Sequence, residues 1–158
     1  GHYDYSFLRQ GKGVTRDDLL KGIKRFGQKN LSWKDKFLMN WQDKTDEEVC
    51  AELVRNFEAR LKEANSPIVS LSHTIPRLAL NGWPDSPEQY FMEAYSGSNS
   101  LGEVIERTQP TYHFCGHTHA RAATTIGKTP PLNIGGHLEK FRYAVLSPDG
   151  VHEREVIL

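Results

Sequence analysis

Apolar residues recur at helical spacing in the first part of the chain, after a recognisable helix start. Thr15 and Asp18 have the spacing of a capping box, and Gly27 suits a C-terminal cap. The apolar positions between them follow at i, i+4 and i+7: Leu19, Ile23 and Phe26. These signals predict a helix from about 15 to 27.

Two further helix starts follow. Ser32 with Asp35 predicts a helix with three aromatic residues along one side: Trp33, Phe37 and Trp41. Thr45 with Glu48 is the clearest capping box in the chain, and an apolar stripe follows it: Val49, Leu53, Phe57 and Leu61. Pro67 lies beyond the end of this third helix.

The middle of the chain alternates between short helices and turn residues. Pro87 predicts the first turn of a short helix that carries Tyr90, Phe91 and Tyr95. The polar segment 96–100 is predicted to be the most flexible point of the chain. Ser100 with Glu103 predicts the start of a helix that runs through Arg107.

From Pro110 onwards the pattern is that of strands. An apolar strand at 68–72 precedes the helices of the middle region, and further strands are predicted at 111–115, 121–126, 130–134, 141–147 and 151–158. Turns at Gly127-Lys128 and Pro148-Asp149-Gly150 separate some of these strands. The pattern therefore predicts an α/β protein with a mainly antiparallel C-terminal sheet.

Composition limits the classes of function. The 158 residues suit one soluble domain, with 37% hydrophobic and 25% charged residues. Twenty basic and twenty acidic residues cancel, which argues against electrostatic binding of nucleic acid or a membrane. No apolar run approaches the length of a membrane span. Cys50 and Cys115 are predicted to be buried thiols, so we expect a cytoplasmic protein.

Histidines at the ends of predicted strands are the candidate functional residues. In Gly116-His117-Thr118-His119 the two histidines are two positions apart, so an extended backbone would point both to one side. Gly116 is expected to let the chain leave the strand in a conformation that a Cβ would oppose. A third histidine, His73, follows the strand at 68–72. Imidazole is the commonest side-chain ligand of transition metals, so these residues predict a metal site.

The order of these motifs resembles the calcineurin-like metallophosphoesterases, and within them the small prokaryotic phosphodiesterases. The resemblance lies in Ser72-His73, in Gly116 to His119, in the turn Asn133 to Gly136 and in Tyr143-Ala144-Val145. It implies that this chain is the C-terminal half of a four-layer α/β/β/α metallophosphoesterase sandwich. In this interpretation residues 1–158 are a single partial domain, and 15–64 is a helical insert. The insert is either a cap over the site or a helical layer whose aromatic stripes are core.

Other motifs of the family are absent or altered. The chain contains neither the family's Asp-x-His nor its Gly-Asp, which supply the bridging carboxylate and much of the first metal site. The family's Gly-Asn-His-Asp corresponds to Gly1-His2-Tyr3-Asp4, with His2 at the asparagine position and Tyr3 at the catalytic histidine position. Alternatively, Gly1-His2 is a remnant of tag removal.

The resemblance implies a set of roles and partners. His73 and His117 would bind the second metal ion and His119 the first, while His2 and Asp4 would take part in catalysis. The cofactors would be two divalent transition-metal ions, from among manganese, iron, zinc and nickel. Such a pair of ions activates water and stabilises charge on the phosphate oxygens. The substrate would be a small phosphoester or a nucleotide. The N-terminal half of the fold is truncated from this sequence, supplied by a second chain or absent altogether, and the sequence leaves these three alternatives open.

Several other residues have two interpretations each. Arg121 would bind a phosphate oxygen, or it is a solvent-facing arginine on a strand. His113 is expected to be a packed core histidine or a supporting group, and His152 an exposed strand residue. His137 would lie near the site, whereas Asn133 and Gly135 are expected to form a structural turn.

The sequence thus predicts a metal-dependent hydrolase of phosphomonoesters or phosphodiesters. The alternative is a non-catalytic scaffold of the same fold that has lost its acids and binds other proteins. The absent Asp-x-His and Gly-Asp favour the scaffold, and the retained His73, His117 and His119 favour the enzyme.

Overall fold

Helices and strands alternate along the chain in a computed structural model that describes residues 3–136 and 139–157. The helices are α1 (Arg16–Lys21), α2 (Asp35–Leu38), α3 (Asp46–Glu63), α4 (Pro87–Glu93) and α5 (Asn99–Thr108), with a 3-10 turn at Leu78–Leu80. The strands are β1 (Ile23–Phe26), β2 (Lys29–Ser32), β3 (Val69–Leu71), β4 (Tyr112–Cys115), β5 (Ala122–Ala123), β6 (Pro131–Asn133), β7 (Lys140–Ser147) and β8 (Gly150–Ile157). The mixed α/β class predicted from the sequence is confirmed.

The first predicted helix begins as expected but ends early. Thr15 and Asp18 form the capping box of α1, whereas Gly22, with φ of 67°, ends the helix after Lys21. Because the N–H of Gly22 binds carbonyls of the last turn, the chain reverses there. The segment from Ile23 to Phe26 is therefore not helical. It pairs with β2 as an antiparallel hairpin, so the prediction of a helix to residue 27 is wrong.

The second predicted helix is a single turn, and the third is confirmed. Trp33 precedes α2 and Trp41 follows it, so neither belongs to a helical stripe. Thr45 and Glu48 form the predicted capping box of α3. α3 packs on α5 through buried apolar side chains: Cys50, Val54, Leu61, Leu101, Val104 and Ile105. Segment 15–64 thus holds a hairpin as well as helices, and its role as an insert stays a prediction.

The central sheet is mixed, with strand order β3-β4-β6-β5. β3, β4 and β6 are parallel to one another, and β5 alone pairs antiparallel, so the prediction of a mainly antiparallel sheet is wrong for this part. α4 and α5 lie between β3 and β4 in the chain, and such a crossover returns the next strand in the same direction. The carboxyl ends of β3 and β4 consequently lie side by side.

The polar segment at 96–100 is buried over its first three residues, contrary to the predicted flexibility. Ser96 and Ser98 are fully buried, and their backbones pair with Ile75 on both sides. A Cβ on Gly97 would lie 1.9 Å from the carbonyl oxygen of Ile75, so only glycine fits there. Ser98, and not Ser100, caps α5 by accepting a hydrogen bond from the N–H of Ser100. The tight backbone contact with Ile75 holds this segment in place.

The C-terminal hairpin is as predicted. β7 and β8 pair antiparallel over eight residues each, around the turn before Gly150. Both cysteines, Cys50 and Cys115, are buried free thiols, as expected. Among the helices that the structure describes, none is long and apolar enough to span a bilayer. The four-layer sandwich stays a prediction.

Candidate metal centre

Two predicted metal ligands, His73 and His117, lie in direct contact. β3 and β4 pair with Leu71 beside Phe114, and each histidine follows two positions after the last residue of its strand. The pairing continues past the strands, because Gly116 N–H donates to the carbonyl of His73 at 3.1 Å. Nε2 of His73 and Nδ1 of His117 are 2.9 Å apart. The parallel register therefore produces the pair, although the two residues are 44 positions apart.

The backbone of Gly116-His117-Thr118-His119 differs from the predicted extended form. His117 and His119 have φ of 67° and 58°, in the left-handed region that residues with a Cβ rarely adopt. Gly116 is outside that region, and a Cβ on it would meet only the His73 carbonyl at 3.8 Å. The expectation for Gly116 and the strand-parity argument are therefore wrong. The histidines themselves carry the backbone strain, which is common at binding sites.

Neighbouring residues hold this strained loop in place. Trp83 donates its indole N–H to the carbonyl of Thr118 at 2.7 Å, and the Asn133 amide donates to the Thr118 hydroxyl at 2.6 Å. Asn133 is fully buried and also accepts a hydrogen bond from Gly135 N–H at 3.2 Å, so it forms the structural turn that was expected. A Cβ on Gly82 would lie 2.6 Å from that of Ala120. The loop can lie this close only because residue 82 is glycine.

Loss of solvent lowers the pKa of both histidines of the pair. Removal from water lowers the pKa of His117 to about 4, and the neighbouring His73 lowers it further. The pKa of His73 is also lowered, chiefly by loss of solvent. Neutral imidazole is the form that binds metal ions.

The third predicted ligand, His119, is exposed. It is close enough to His73 and His117 to affect the pKa of each ring. A positive charge on His119 lowers the pKa of His73 and that of His117. However, within residues 3–136 and 139–157 no three histidine, cysteine or acidic side chains are grouped closely enough to hold a metal ion. The structure thus assembles two of the three predicted ligands and leaves the third nearby.

Both carboxylate oxygens of Asp4, predicted to be catalytic, are engaged by polar groups of the fold. Its Oδ2 accepts hydrogen bonds from the hydroxyls of Ser98 at 2.6 Å and Ser100 at 3.3 Å, and its Oδ1 accepts one from the N–H of Ser6 at 3.0 Å. These contacts tie the N-terminal segment to the start of α5. His2, the other predicted catalytic residue, lies outside the described residues.

Arg121, predicted to bind substrate, forms a two-point ion pair. Its Nε and Nη2 donate to the two carboxylate oxygens of Glu153 on β8, each at 2.6 Å. This contact raises the pKa of Arg121 and lowers the pKa of Glu153, chiefly through the hydrogen bond between them. A phosphate group would have to compete with Glu153 for the guanidinium.

The remaining histidines have the following surroundings. His113 is fully buried between two serine hydroxyls, with Ser70 Oγ 2.9 Å from its Nδ1 and Ser72 Oγ 3.0 Å from its Nε2. Burial lowers the pKa of His113 to about 4, which fits the expected core histidine. His152 is exposed on β8, as expected. His137 lies outside the described residues.

Trp33 lies near the site, which its sequence pattern does not predict. The ring of Trp33 meets that of His117 edge to face, with centroids 5.5 Å apart, and stacks on Tyr95 at 4.6 Å. Trp33 was expected on the stripe of a helix. No local pattern marks this contact, because it joins two residues that are far apart in the chain.

Comparison with known proteins supports the fold. The crystal structure of a phosphopantetheinyl hydrolase (PptH) from Mycobacterium tuberculosis is similar, with a TM-score of 0.63 and 21% sequence identity. The match covers 84% of this chain and 46% of the hydrolase, so the chain spans about half the length of that structure. No protein-family model matches the sequence. No curated protein matches it either. At this identity the likeness shows the fold alone.

Proposed function

We propose that this chain is the C-terminal part of a calcineurin-like metallophosphoesterase and supplies histidine ligands to its metal site. The observation that carries the proposal is the 2.9 Å approach of His73 Nε2 to His117 Nδ1. The rings converge at the carboxyl ends of neighbouring parallel strands, where open α/β sheets bind ligands. The similar structure is named a hydrolase, which agrees with this assignment.

The histidine pair would supply two imidazole ligands to one divalent transition-metal ion, and further ligands would have to join them, because the described residues group no three such side chains. Two imidazole nitrogens lie 2.9 Å apart, and burial favours the neutral form of the His117 ring by lowering its pKa to about 4. Imidazole ligation suits manganese, iron, zinc and nickel. His119 would join the site by a change of side-chain conformation. When bound, divalent ions at such a site supply Lewis-acid activation of a phosphoester and of water.

A second ion needs carboxylates that the described residues do not group around the histidines. We propose that a further polypeptide, corresponding to the unmatched part of the longer hydrolase, provides them. Val69 and Leu71 on β3, at the edge of the described sheet, are 44% and 70% exposed. They offer apolar surface on which such a polypeptide could pack.

In this proposal the candidate residues of the chain have separate roles. His73, His117 and His119 hold the metal, and Asp4 fixes the N-terminal segment that carries His2. Arg121 would orient a phosphate group after releasing Glu153. The substrate is a phosphomonoester or phosphodiester of a small molecule or nucleotide.

Metal binding by the chain alone tests the proposal. We expect titration calorimetry with Mn²⁺ or Zn²⁺ to show one ion per chain, and His117→Ala to weaken binding at least about tenfold. His152→Ala is the matched control, because His152 is an exposed histidine far along the chain on β8. Absence of binding by the unaltered chain would refute the proposal. Hydrolysis of bis(p-nitrophenyl) phosphate should then be assayed with the metal-loaded protein.

The second candidate is a non-catalytic scaffold of the same fold. It is favoured by Asp4 and Arg121, whose charged groups are already engaged by Ser98 and Glu153. A scaffold would bind no metal at the histidine pair, so the same titration separates the two candidates.

A further inference from the structure

The ring of His117 contacts two other rings. One is the imidazole of His73, whose centroid lies 4.8 Å from that of His117 at an interplanar angle of 81°. The other is the indole of Trp33, whose centroid lies 5.5 Å away at an interplanar angle of 63°. Both contacts are edge to face, an arrangement that aromatic rings prefer to a face-to-face sandwich. These two neighbours limit the orientations that the His117 ring can adopt.

Trp33 is fixed through both its backbone and its ring. Its N–H donates to the carbonyl of Gly22 at 2.7 Å. Its ring stacks on that of Tyr95, with centroids 4.6 Å apart and an interplanar angle of 8°. Only 8% of its surface is exposed. The indole therefore has little freedom to move away from His117.

The ring on which Trp33 stacks belongs to the core. Tyr95 is fully buried, and its hydroxyl donates to the carbonyl of Leu19 at 2.7 Å. Two further rings meet it edge to face, those of Tyr3 at 5.2 Å and Phe91 at 5.3 Å. The indole is thus supported by packed aromatic side chains and not by a surface loop.

The contact between His73 and His117 needs such support. His73 is exposed, so water competes for its ring nitrogen, and the hydrogen bond to His117 contributes little free energy by itself. The backbone at His117 is also strained, with φ of 67°. Packing against the buried indole is a contact for which water does not compete in this way.

We propose that Trp33 is the positioning residue of the candidate metal centre, and that its ring holds the imidazole of His117 in the orientation that meets His73. The inference rests on the proposed function and gives the 15–64 segment a role in supporting the site. A ligand that is already held in place loses less side-chain freedom when an ion binds, so the affinity is higher.

Substitutions at residue 33 test the inference on the whole chain. Trp33→Leu keeps an apolar side chain but removes the ring, whereas Trp33→Phe keeps a ring that can meet His117 edge to face. Val54→Ala is the matched control for lost stability, because Val54 is also 8% exposed but belongs to a different core cluster, between α3 and α5. If Trp33→Leu does not fold, Trp33→Met replaces it, since methionine adapts to irregular spaces in a core.

The first measurement is the geometry of the pair without metal. Ring centroids 4.8 Å apart predict a nuclear Overhauser effect between the carbon-bound ring protons of His73 and His117. We expect this signal in the unaltered chain, in Trp33→Phe and in Val54→Ala. It should be lost in Trp33→Leu, because the His117 ring then turns away from His73.

The second measurement is the affinity for Mn²⁺ or Zn²⁺ in titration calorimetry. We expect Trp33→Leu to bind about three- to tenfold more weakly, which corresponds to the cost of ordering one side chain. Trp33→Phe and Val54→Ala should bind as the unaltered chain does. Circular dichroism of each variant verifies that the chain is folded.

The outcomes separate this inference from the proposed function. If Trp33→Leu keeps both the ring-proton signal and the affinity of the unaltered chain, the positioning role is refuted. Equal changes in Trp33→Leu and Val54→Ala would also refute it, because lost stability alone would then explain them. If the unaltered chain binds no metal but the ring-proton signal depends on Trp33, the proposed function fails and the positioning of His117 stands.

Discussion

Nε2 of His73 and Nδ1 of His117 lie 2.9 Å apart, so the two rings share one hydrogen bond in which one nitrogen donates and the other accepts. Their centroids are 4.8 Å apart and their planes are nearly perpendicular. The parallel pairing of β3 with β4 brings them together, and the left-handed backbone at His117 turns its ring towards His73.

Gly82 should be required for Ala120, which follows the Gly116-His117-Thr118-His119 loop, to lie close to the backbone at residue 82. In Gly82→Ala the new Cβ would lie 2.6 Å from the Cβ of Ala120, at a φ of 67°. Gly11→Ala is the control, because Gly11 has a similar φ of 73° and nothing within 4 Å. We expect urea unfolding to show a further loss of about 1–3 kcal/mol for Gly82→Ala beyond that of the control. Equal losses would mean that the contact with Ala120 relaxes freely.

His119 should contribute strain to the fold. Its φ of 58° is tolerated better by asparagine than by most residues, and its side chain is exposed. We therefore expect His119→Asn to be more stable than His119→Gln by about 0.5–1 kcal/mol, measured by urea unfolding. Both variants lack the imidazole, so both should bind metal more weakly. Equal stability of the two variants would argue against strain at this position.

Asp46 should be the acid that stabilises the contact between Lys36 on α2 and the start of α3. It is 5% exposed and is bound by Lys36, Tyr5 and Trp41. Asp46→Ala leaves the largely buried ammonium of Lys36 unpaired, and we expect a loss of about 3–5 kcal/mol in the free energy of unfolding. Asp17→Ala removes the exposed pair with Lys21 and should leave the free energy of unfolding nearly unchanged, because solvent screens that pair. A small loss of stability in Asp46→Ala would show that the ammonium group of Lys36 becomes solvated in the variant.

His113 should make stability depend on pH. Its folded pKa of about 4 is below the ordinary value of about 6.5, so the unfolded chain takes up the proton first as pH falls. The contribution of His113 is therefore complete above about pH 6.5 and is lost towards pH 4, by about 3 kcal/mol in total. The measurement is the free energy of unfolding of the unaltered chain and of His113→Gln at several pH values between about 4 and 6.5. We expect it to fall less steeply with decreasing pH in the variant. His117 titrates in both proteins, so an unchanged slope in the variant would contradict the prediction.

Local signals in the sequence determined the starts of several elements. The capping boxes at Thr15 and Thr45, the proline at 87 and the turn before Gly150 act within a few residues, so their effect is visible without the fold. The same holds for the histidines as candidate ligands, because each follows an apolar strand. The buried state of His113 and of both cysteines also follows from their apolar neighbours in sequence.

Only the tertiary structure decided where these elements lie. The parallel direction of β3 and β4, the burial of Ser96 to Ser98 against Ile75, and the position of Trp33 over His117 all depend on contacts between residues far apart in the chain. Such contacts decide the sign of φ at His117. Local propensity carries no information on them, because their free energy comes from packing between segments that the sequence separates by tens of residues.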